Sequence, residues 1–334
     1  MAEGIATSYI AGTGSFVPPR ILSNQDLERM VETSDEWITT RTGIKERRIA
    51  EPGLAASDLA FEAASKALAS AEMTADELDL IIVGTVTPDR LFPSCACSLQ
   101  ARLQANNAAA FDISAACSGF IYALDVARSM IAAGTAGKRG NVLVVGVEVL
   151  SRIVDYTDRS TCVLFGDAAG AVILKPSSDP RRGILSIAIG SDGASGDLLC
   201  MPAGGSRLPA SHETIEKHLH VLKMTGNEVF KIAIRGMEGI AREALDLAGV
   251  SIDELALLIP HQANLRMIDA TARRLEIPQE KVLVNIQRYG NTSSASIPLG
   301  LDEAVRAGRV KRGDPIIMVA FGGGLTWGAA VVRW

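Results

Sequence analysis

Aromatic side chains are scarce: Phe, Trp and Tyr together make up 4% of the 334 residues. Neither charge sign dominates, since 33 Lys and Arg face 38 Asp and Glu for a formal net charge of −5. That balance excludes a general polyanion binder, so neither nucleic acid nor a membrane surface is an expected partner, while a local basic patch stays open. Histidine occurs only four times and cysteine five. Cys95 and Cys97 stand one residue apart, which is not the CxxC spacing of zinc or redox sites. Reduced thiols in a cytoplasmic protein, with no metal site, are therefore expected. The opening MAEGIATSYIAGTG has neither the basic start nor the apolar run of a secretory signal. One uncharged stretch of 18 residues, Pro315 to Val332, holds three consecutive glycines. The glycines argue for two buried strands joined at a turn rather than a membrane helix.

What is present is an aliphatic, globular composition, 48% apolar and 21% charged. The length suggests about two domains, and the sequence repeats itself. DELDLIIV (76–83) resembles DELALLIP (253–260), 177 positions on, and each follows an alanine-rich helical segment. AAGTAGKRGNVLVVG (132–146) resembles RAGRVKRGDPIIMVA (306–320), with the KRG triplets 173 positions apart. Two matches in the same order at nearly equal separation indicate two related halves, 1–175 and 176–334. Short continuous apolar runs (LIIV, VLVVGV, LLI, IIMVA) read as strands buried on both faces. Helical segments such as Phe120–Ala133 and Val229–Ala248 lie between them. The alternation implies α/β layers on mainly parallel sheet.

Three segments carry the residues suited to chemistry. In DISAACSGFIYALDVARSM (112–130), Cys117 falls at a strand-to-helix turn among small neighbours. Unpaired amide N–H groups and the helix dipole there favour a thiolate. The alternative is a buried, inert cysteine, the reading given to Cys95, Cys97, Cys162 and Cys200. In IPHQANLRMID (259–269), His261 directly follows the strand LALLI. A lone histidine is more often structural, but a cysteine nucleophile in the other half gives this one a partner. In YGNTSSASIPLGLDEAV (289–305), Asn291 lies before a helix, near the place that Cys117 holds in the first half. A helix cap is its simplest role. The run Gly322–Gly324 follows the strand IIMVA, and its bare amides suit an oxyanion.

These segments, with DEWITTRTGI (35–44), TDRSTCVLFGDAAGA (157–171), MTGNEVFK (224–231) and AFGGGLTWG (320–328), resemble the beta-ketoacyl-acyl carrier protein synthase III family across the whole chain. The resemblance implies the thiolase-like α/β fold, a five-layered αβαβα built from two duplicated halves, as a homodimer. It implies an acyltransferase that condenses acetyl-CoA with malonyl-acyl carrier protein, releasing CoA and carbon dioxide, at the start of fatty-acid synthesis. Cys117, His261 and Asn291 would be catalytic, and backbone amides of Cys117 and Gly323 would form the oxyanion hole. Trp37 and Arg159 would sandwich the CoA adenine, and Arg41 would meet its phosphates. Asn264, Gly226 and Asn227 would line the pantetheine path. Phe92 would reach across the dimer to limit the acyl pocket. CoA and carrier protein are substrates, and no cofactor is implied. Asn291 stands where elongating ketosynthases have a second histidine, and no cysteine beyond Cys200 supplies the second thiol of a thiolase.

An acidic carrier protein needs a basic dock. Lys231, Arg235, Arg266, Arg273 and Arg274 are the candidates, with Arg266 first because it adjoins HQAN. Ser160 replaces a glycine common after the adenine arginine. Segment 203–222 holds His212, His218 and His220, whose spacing fits a surface segment better than a metal site. Two rival functions are a related Cys-His-Asn enzyme making a ketone, quinolone or polyketide primer, and a non-catalytic acyl-CoA binding module.

Overall fold

The structure is a computed structural model and describes residues 7–334; the first six residues of the N-terminal stretch discussed above lie outside it. Strands β1 (Thr7–Phe16), β2 (Leu80–Gly84), β3 (Ala109–Ile113), β4 (Val142–Val149) and β5 (Asp167–Ser177) form one sheet in the order β1-β5-β4-β2-β3. Strands β6 (Gly183–Ser191), β7 (Leu257–Pro260), β8 (Pro315–Gly322) and β9 (Thr326–Arg333) form a second in the order β6-β9-β8-β7. The second order repeats the first strand for strand. Only the counterpart of β3 is reduced, to a single parallel bridge between Leu258 and Val282.

The layers follow from which faces are apolar. Among the helices are α1 (Asp35–Thr42), α2 (Ala56–Ser70), α3 (Cys95–Leu103), α4 (Gly119–Ala132), α5 (Gly226–Ala248), α6 (Leu265–Arg274) and α7 (Ser296–Arg306). Helices α4 and α7 each pack on both sheets and form the middle layer. Their burial fits that place: Phe120, Ile121, Ala123, Leu124, Ala127 and Ile131 of α4 cover more than one face, as a helix enclosed on two sides requires. Helices α2 and α3 cover the outer face of the first sheet, and α5, with α6 beside it, covers the second. On α5 only one stripe is buried, including Ala233, Met237, Ile240 and Ala244, while Lys231 and Arg235 face solvent. This is the five-layered, duplicated thiolase-like architecture.

The expectation of mainly parallel sheet is corrected. β2 runs parallel to β3 and β4, and β7 to β8, but β5 is antiparallel to both β1 and β4, and β9 to both β6 and β8. The cause is local. β8 and β9 are joined by the short glycine turn after Gly322, and a connection that short permits only an antiparallel hairpin. The uncharged stretch at 315–332 is this hairpin. Among the described residues no helix is long and apolar enough to cross a membrane.

The middle helices begin where the halves meet. Before α4 lies the turn Ala116–Ser118, and before α7 the turn Ser293–Ala295, 177 positions later. The layers touch there at backbone distance: a Cβ on Gly146 of β4 would lie 2.3 Å from the Ser294 carbonyl oxygen.

Candidate active site

Cys117 sits in the turn ahead of α4 and is buried. The preceding Ala116 has a left-handed φ of 46°, a conformation costly for a residue with a Cβ and one that clusters at functional sites. The end of β8 presses on this turn: a Cβ on Gly322 would fall 2.5 Å from the Cys117 amide nitrogen. Only glycine fits there. Cys117 opens into a cavity of about 330 Å³ that Ser293 and Gly323 also line. Cys200 lies on its wall as well.

A smaller adjoining space of about 90 Å³ is bordered by Cys117, His261, Asn291, Asn264 and Gly322. The two halves thus place the cysteine, the histidine and the asparagine on one cavity. His261 follows β7, and its amide donates to the Val319 carbonyl of β8 at 2.7 Å. Burial pulls its pKa down to about 3, so the imidazole is neutral at ordinary pH. Its Nδ1 lies 2.7 Å from Ser296 Oγ. Asn291 is fixed by its backbone, whose N–H donates to the Leu164 carbonyl at 2.8 Å while its carbonyl accepts from Gly166 N–H at 3.0 Å. Its side-chain Oδ1 accepts from Ser293 N–H at 2.8 Å. That bond leaves the side-chain amide as the donor end facing the cavity. Gly290, just before it, has φ 64° and ψ −156°, and a Cβ there would meet the Leu164 carbonyl oxygen at 2.6 Å.

One sequence expectation needs correction here. The turn was expected to favour a Cys117 thiolate, but burial pushes the thiol up to about 12, against an interaction with Ser293 that lowers it. In the resting site the cysteine is a thiol, because loss of water outweighs the helix start. The sequence alone did not single out Glu148, Ser293 and Ser296. Glu148 is the single ionisable side chain in the otherwise apolar strand VLVVGVEV. A charge in a fully buried strand is the signal that could have found it.

The other expected residues are distributed as follows. Trp37 is half-buried on α1, with the Arg41 guanidinium 4.6 Å and that of Arg159 5.3 Å from its ring centroid. Arg159 also donates to the Glu32 carbonyl at 3.0 Å. Asn264 caps α6, with Oδ1 accepting from Arg266 N–H at 2.9 Å and Nδ2 donating to the Arg41 carbonyl at 3.1 Å. It therefore ties α6 to α1 while bordering the smaller cavity. Gly226 and Asn227 form the exposed first turn of α5 and border neither cavity. Phe92 is 85% exposed and does not reach the Cys117 cavity of its own chain. Arg266, Lys231, Arg235 and Arg273 are exposed on α5 and α6. Arg274 is instead paired with Glu238 at 2.6 Å, which makes it the least available of the five basic candidates. In segment 203–222, His220 Nε2 meets Thr214 Oγ1 at 2.9 Å and His218 Nδ1 meets Asp155 at 3.1 Å. Among the described residues no group of three or more His, Cys, Asp or Glu is arranged to hold a metal ion.

Comparisons with known proteins place the chain in a family. The family profiles of 3-oxoacyl-(acyl-carrier-protein) synthase III match residues 111–193, and those of its C-terminal part match 245–334. The chain is 54% identical over 334 residues, all of it and 99% of the relative, to the beta-ketoacyl-(acyl-carrier-protein) synthase III of Caldanaerobacter subterraneus. It is similar to the crystal structure of 3-oxoacyl-(acyl-carrier-protein) synthase III from Aquifex aeolicus: TM-score 0.89, 53% identity, covering 98% of this chain and 100% of that one. A priming beta-ketosynthase of a polyketide pathway shares the fold at TM-score 0.91 but only 37% identity, over 100% of this chain and 98% of that one. The chain belongs to the beta-ketoacyl-acyl carrier protein synthase III family of condensing enzymes.

Proposed function

We propose that the protein condenses acetyl-CoA with malonyl-acyl carrier protein, giving acetoacetyl-acyl carrier protein, CoA and carbon dioxide, and so starts fatty-acid synthesis. The observation that carries this is the convergence of Cys117, His261 and Asn291 on one cavity. Cys117 attacks the acetyl thioester, and CoA leaves. Malonyl-acyl carrier protein then enters and loses carbon dioxide, and the enolate formed attacks the acetyl-Cys117 carbonyl. Two negative charges need stabilising. Backbone amides of Cys117 and Gly323 meet the tetrahedral oxyanion, and His261 Nε2 and the Asn291 amide meet the enolate. Neutral donors suit the second task, since a carboxylate there would repel the enolate. Ser296 Oγ, 2.7 Å from Nδ1, holds the His261 ring in place while its own hydroxyl donates to the Ser293 carbonyl at 2.9 Å.

The same reading assigns the outer residues. The adenine stacks between Trp37 and Arg159, displacing the guanidinium that now lies 5.3 Å from the Trp37 ring centroid. Arg41 meets the phosphates, and Asn264, Gly226 and Asn227 the pantetheine arm. Arg266 leads the carrier dock, with Lys231, Arg235 and Arg273 around it and Arg274 held back by Glu238. Phe92, exposed on one chain, serves the acyl pocket of a second copy in a cytoplasmic homodimer. The halves meet near residue 175, in the last residues of β5, and no metal or cofactor takes part.

A panel of acyl-CoA starters incubated with malonyl-acyl carrier protein, with products weighed by mass spectrometry, tests this. Acetoacetyl-carrier should dominate. A long-chain ketone or a polyketide primer as the main product would overturn the assignment.

A further inference from the structure

Behind Cys117 lies a buried acid that the mechanism above leaves idle. Glu148 has no solvent exposure. Its Oε2 accepts from Thr87 Oγ1 at 2.6 Å, from Val86 N–H at 3.2 Å and from Thr85 Oγ1 at 3.3 Å. Its Oε1 accepts from Ser293 Oγ at 3.1 Å and from Ser294 Oγ at 3.0 Å. Ser293 lines the same cavity as the Cys117 thiol and lies close enough to lower its pKa. Its backbone is in the left-handed region, φ 49°, a strain that clusters at functional sites. One serine thus stands between the nucleophile and a buried carboxyl group, while its N–H holds Asn291.

We infer that Cys117, Ser293 and Glu148 form a proton relay, in which the thiol proton passes through the Ser293 hydroxyl to Glu148 as the cysteine attacks its thioester. The bonds balance. The Sγ–H bond breaks as Ser293 Oγ takes that proton, and Ser293 releases its own proton to Glu148 Oε1. The electron pair left on Sγ forms the bond to the carbonyl carbon. When the tetrahedral adduct collapses, the departing CoA thiolate takes the proton back from Glu148 through Ser293. One negative charge is present throughout, passing from Glu148 to the oxyanion of the adduct, then to the departing CoA sulfur and back to Glu148, so no second buried charge is created.

Energetics favour Glu148 over His261 for this task. Burial lifts Glu148 to about 7, against the hydrogen bonds it accepts, whereas burial holds His261 near 3. A proton acceptor near 7 is the stronger base by several powers of ten, and it is poised at working pH. Transfer from the thiol remains uphill in the resting site, so it accompanies attack rather than preceding it. The titratable groups that face Glu148 are Cys117 and Cys95, with Asp89 and Asp112 beyond Cys95. Burial pushes both thiols up, which leaves Glu148 to titrate near neutrality.

The relay rests on Cys117 being the nucleophile, and the test separates the two claims. Full-length wild type, Glu148→Gln and Ser293→Ala are treated with iodoacetamide and, separately, with acetyl-CoA across about pH 5.5 to 9. Modification at Cys117 is read by peptide mass spectrometry. Wild-type rates should rise through one ionisation near neutrality and level off. Both variants should lose that rise and react about 10- to 100-fold more slowly near pH 7.5. A folded variant that keeps the inflection, at a rate within about twofold of wild type, overturns the relay. Should Glu148→Gln not fold, Ser293→Ala decides, because it leaves the buried acid in place. Wild type that alkylates with the inflection but takes no acetyl group supports the relay and sinks the acyl-transfer assignment.

Discussion

The two turns that open the middle helices have the same backbone and different chemistry. Both begin on a non-glycine residue at positive φ, Ala116 at 46° and Ser293 at 49°, and both lead straight into a helix. At the 177-position spacing of the repeat, Cys117 corresponds to Ser294. The cysteine opens onto the cavity, whereas Ser294 is fully buried, with its hydroxyl 2.8 Å from the Gly84 carbonyl and 3.0 Å from Glu148. Duplication therefore builds two equivalent helix starts back to back. One turn presents a thiol to the cavity. The other faces inward, and the loop before it delivers Asn291. A site that needs an attacking atom and separate anion donors is assembled by letting two copies of one turn diverge.

The comparison breaks most sharply when the second half loses its donors. His261→Ala or Asn291→Ala should slow malonyl-carrier decarboxylation by about 10²- to 10³-fold, measured as release of labelled carbon dioxide, with acetylation of Cys117 retained. Gly290→Ala comes next. Its backbone lies in a region essentially confined to glycine, and its new Cβ would collide with the Leu164 carbonyl. A stability loss of about 1–3 kcal/mol in urea unfolding is expected, with weaker decarboxylation as Asn291 shifts. Arg266→Glu tests the outer face of the same half. The KM for malonyl-acyl carrier protein should rise about tenfold and that for acetyl-CoA should stay put. An unchanged response to carrier would remove Arg266 from the dock.

The smallest effect is on pH and stability. His261 titrates near 3 when folded, against its usual 6.5. Between those values the unfolded chain binds more protons, so the folded state is favoured above 6.5 and loses that advantage as pH falls toward 3. His261→Gln removes this term. Its unfolding free energy should vary less steeply with pH across that window, by at most about 1.4 kcal/mol per pH unit. An identical slope in the variant would contradict the neutral, buried imidazole.

Local features were legible in the sequence, and contacts between distant segments were not. The glycine turn at 322–324, the helix after Cys117 and the strand before His261 are written in consecutive residues. The repeat was visible because both halves keep the same αβ junctions at 177 positions. The strand directions were misread, since buried apolar runs look alike in parallel and antiparallel pairs. The partners of Glu148 come from Thr85 to Thr87 and from Ser293 and Ser294, on separate elements of the two halves. No spacing rule links them. Likewise the pairing of Arg274 with Glu238 joins two helices, so the sequence showed the charge and hid its neutraliser. The raised Cys117 pKa has the same origin, because burial is a property of the whole packing.

The central claim is a division of labour: the first half supplies the acylated atom and the second supplies the donors that drive decarboxylation. One experiment tests it directly, the two half-reactions measured separately in Cys117→Ala and in Asn291→Ala. Cys117→Ala should take no acetyl group from acetyl-CoA yet still decarboxylate malonyl-acyl carrier protein. Asn291→Ala should acetylate at Cys117 and fail to decarboxylate. If both half-reactions fall together in both variants, or if acetyl transfer persists without Cys117, the account is wrong.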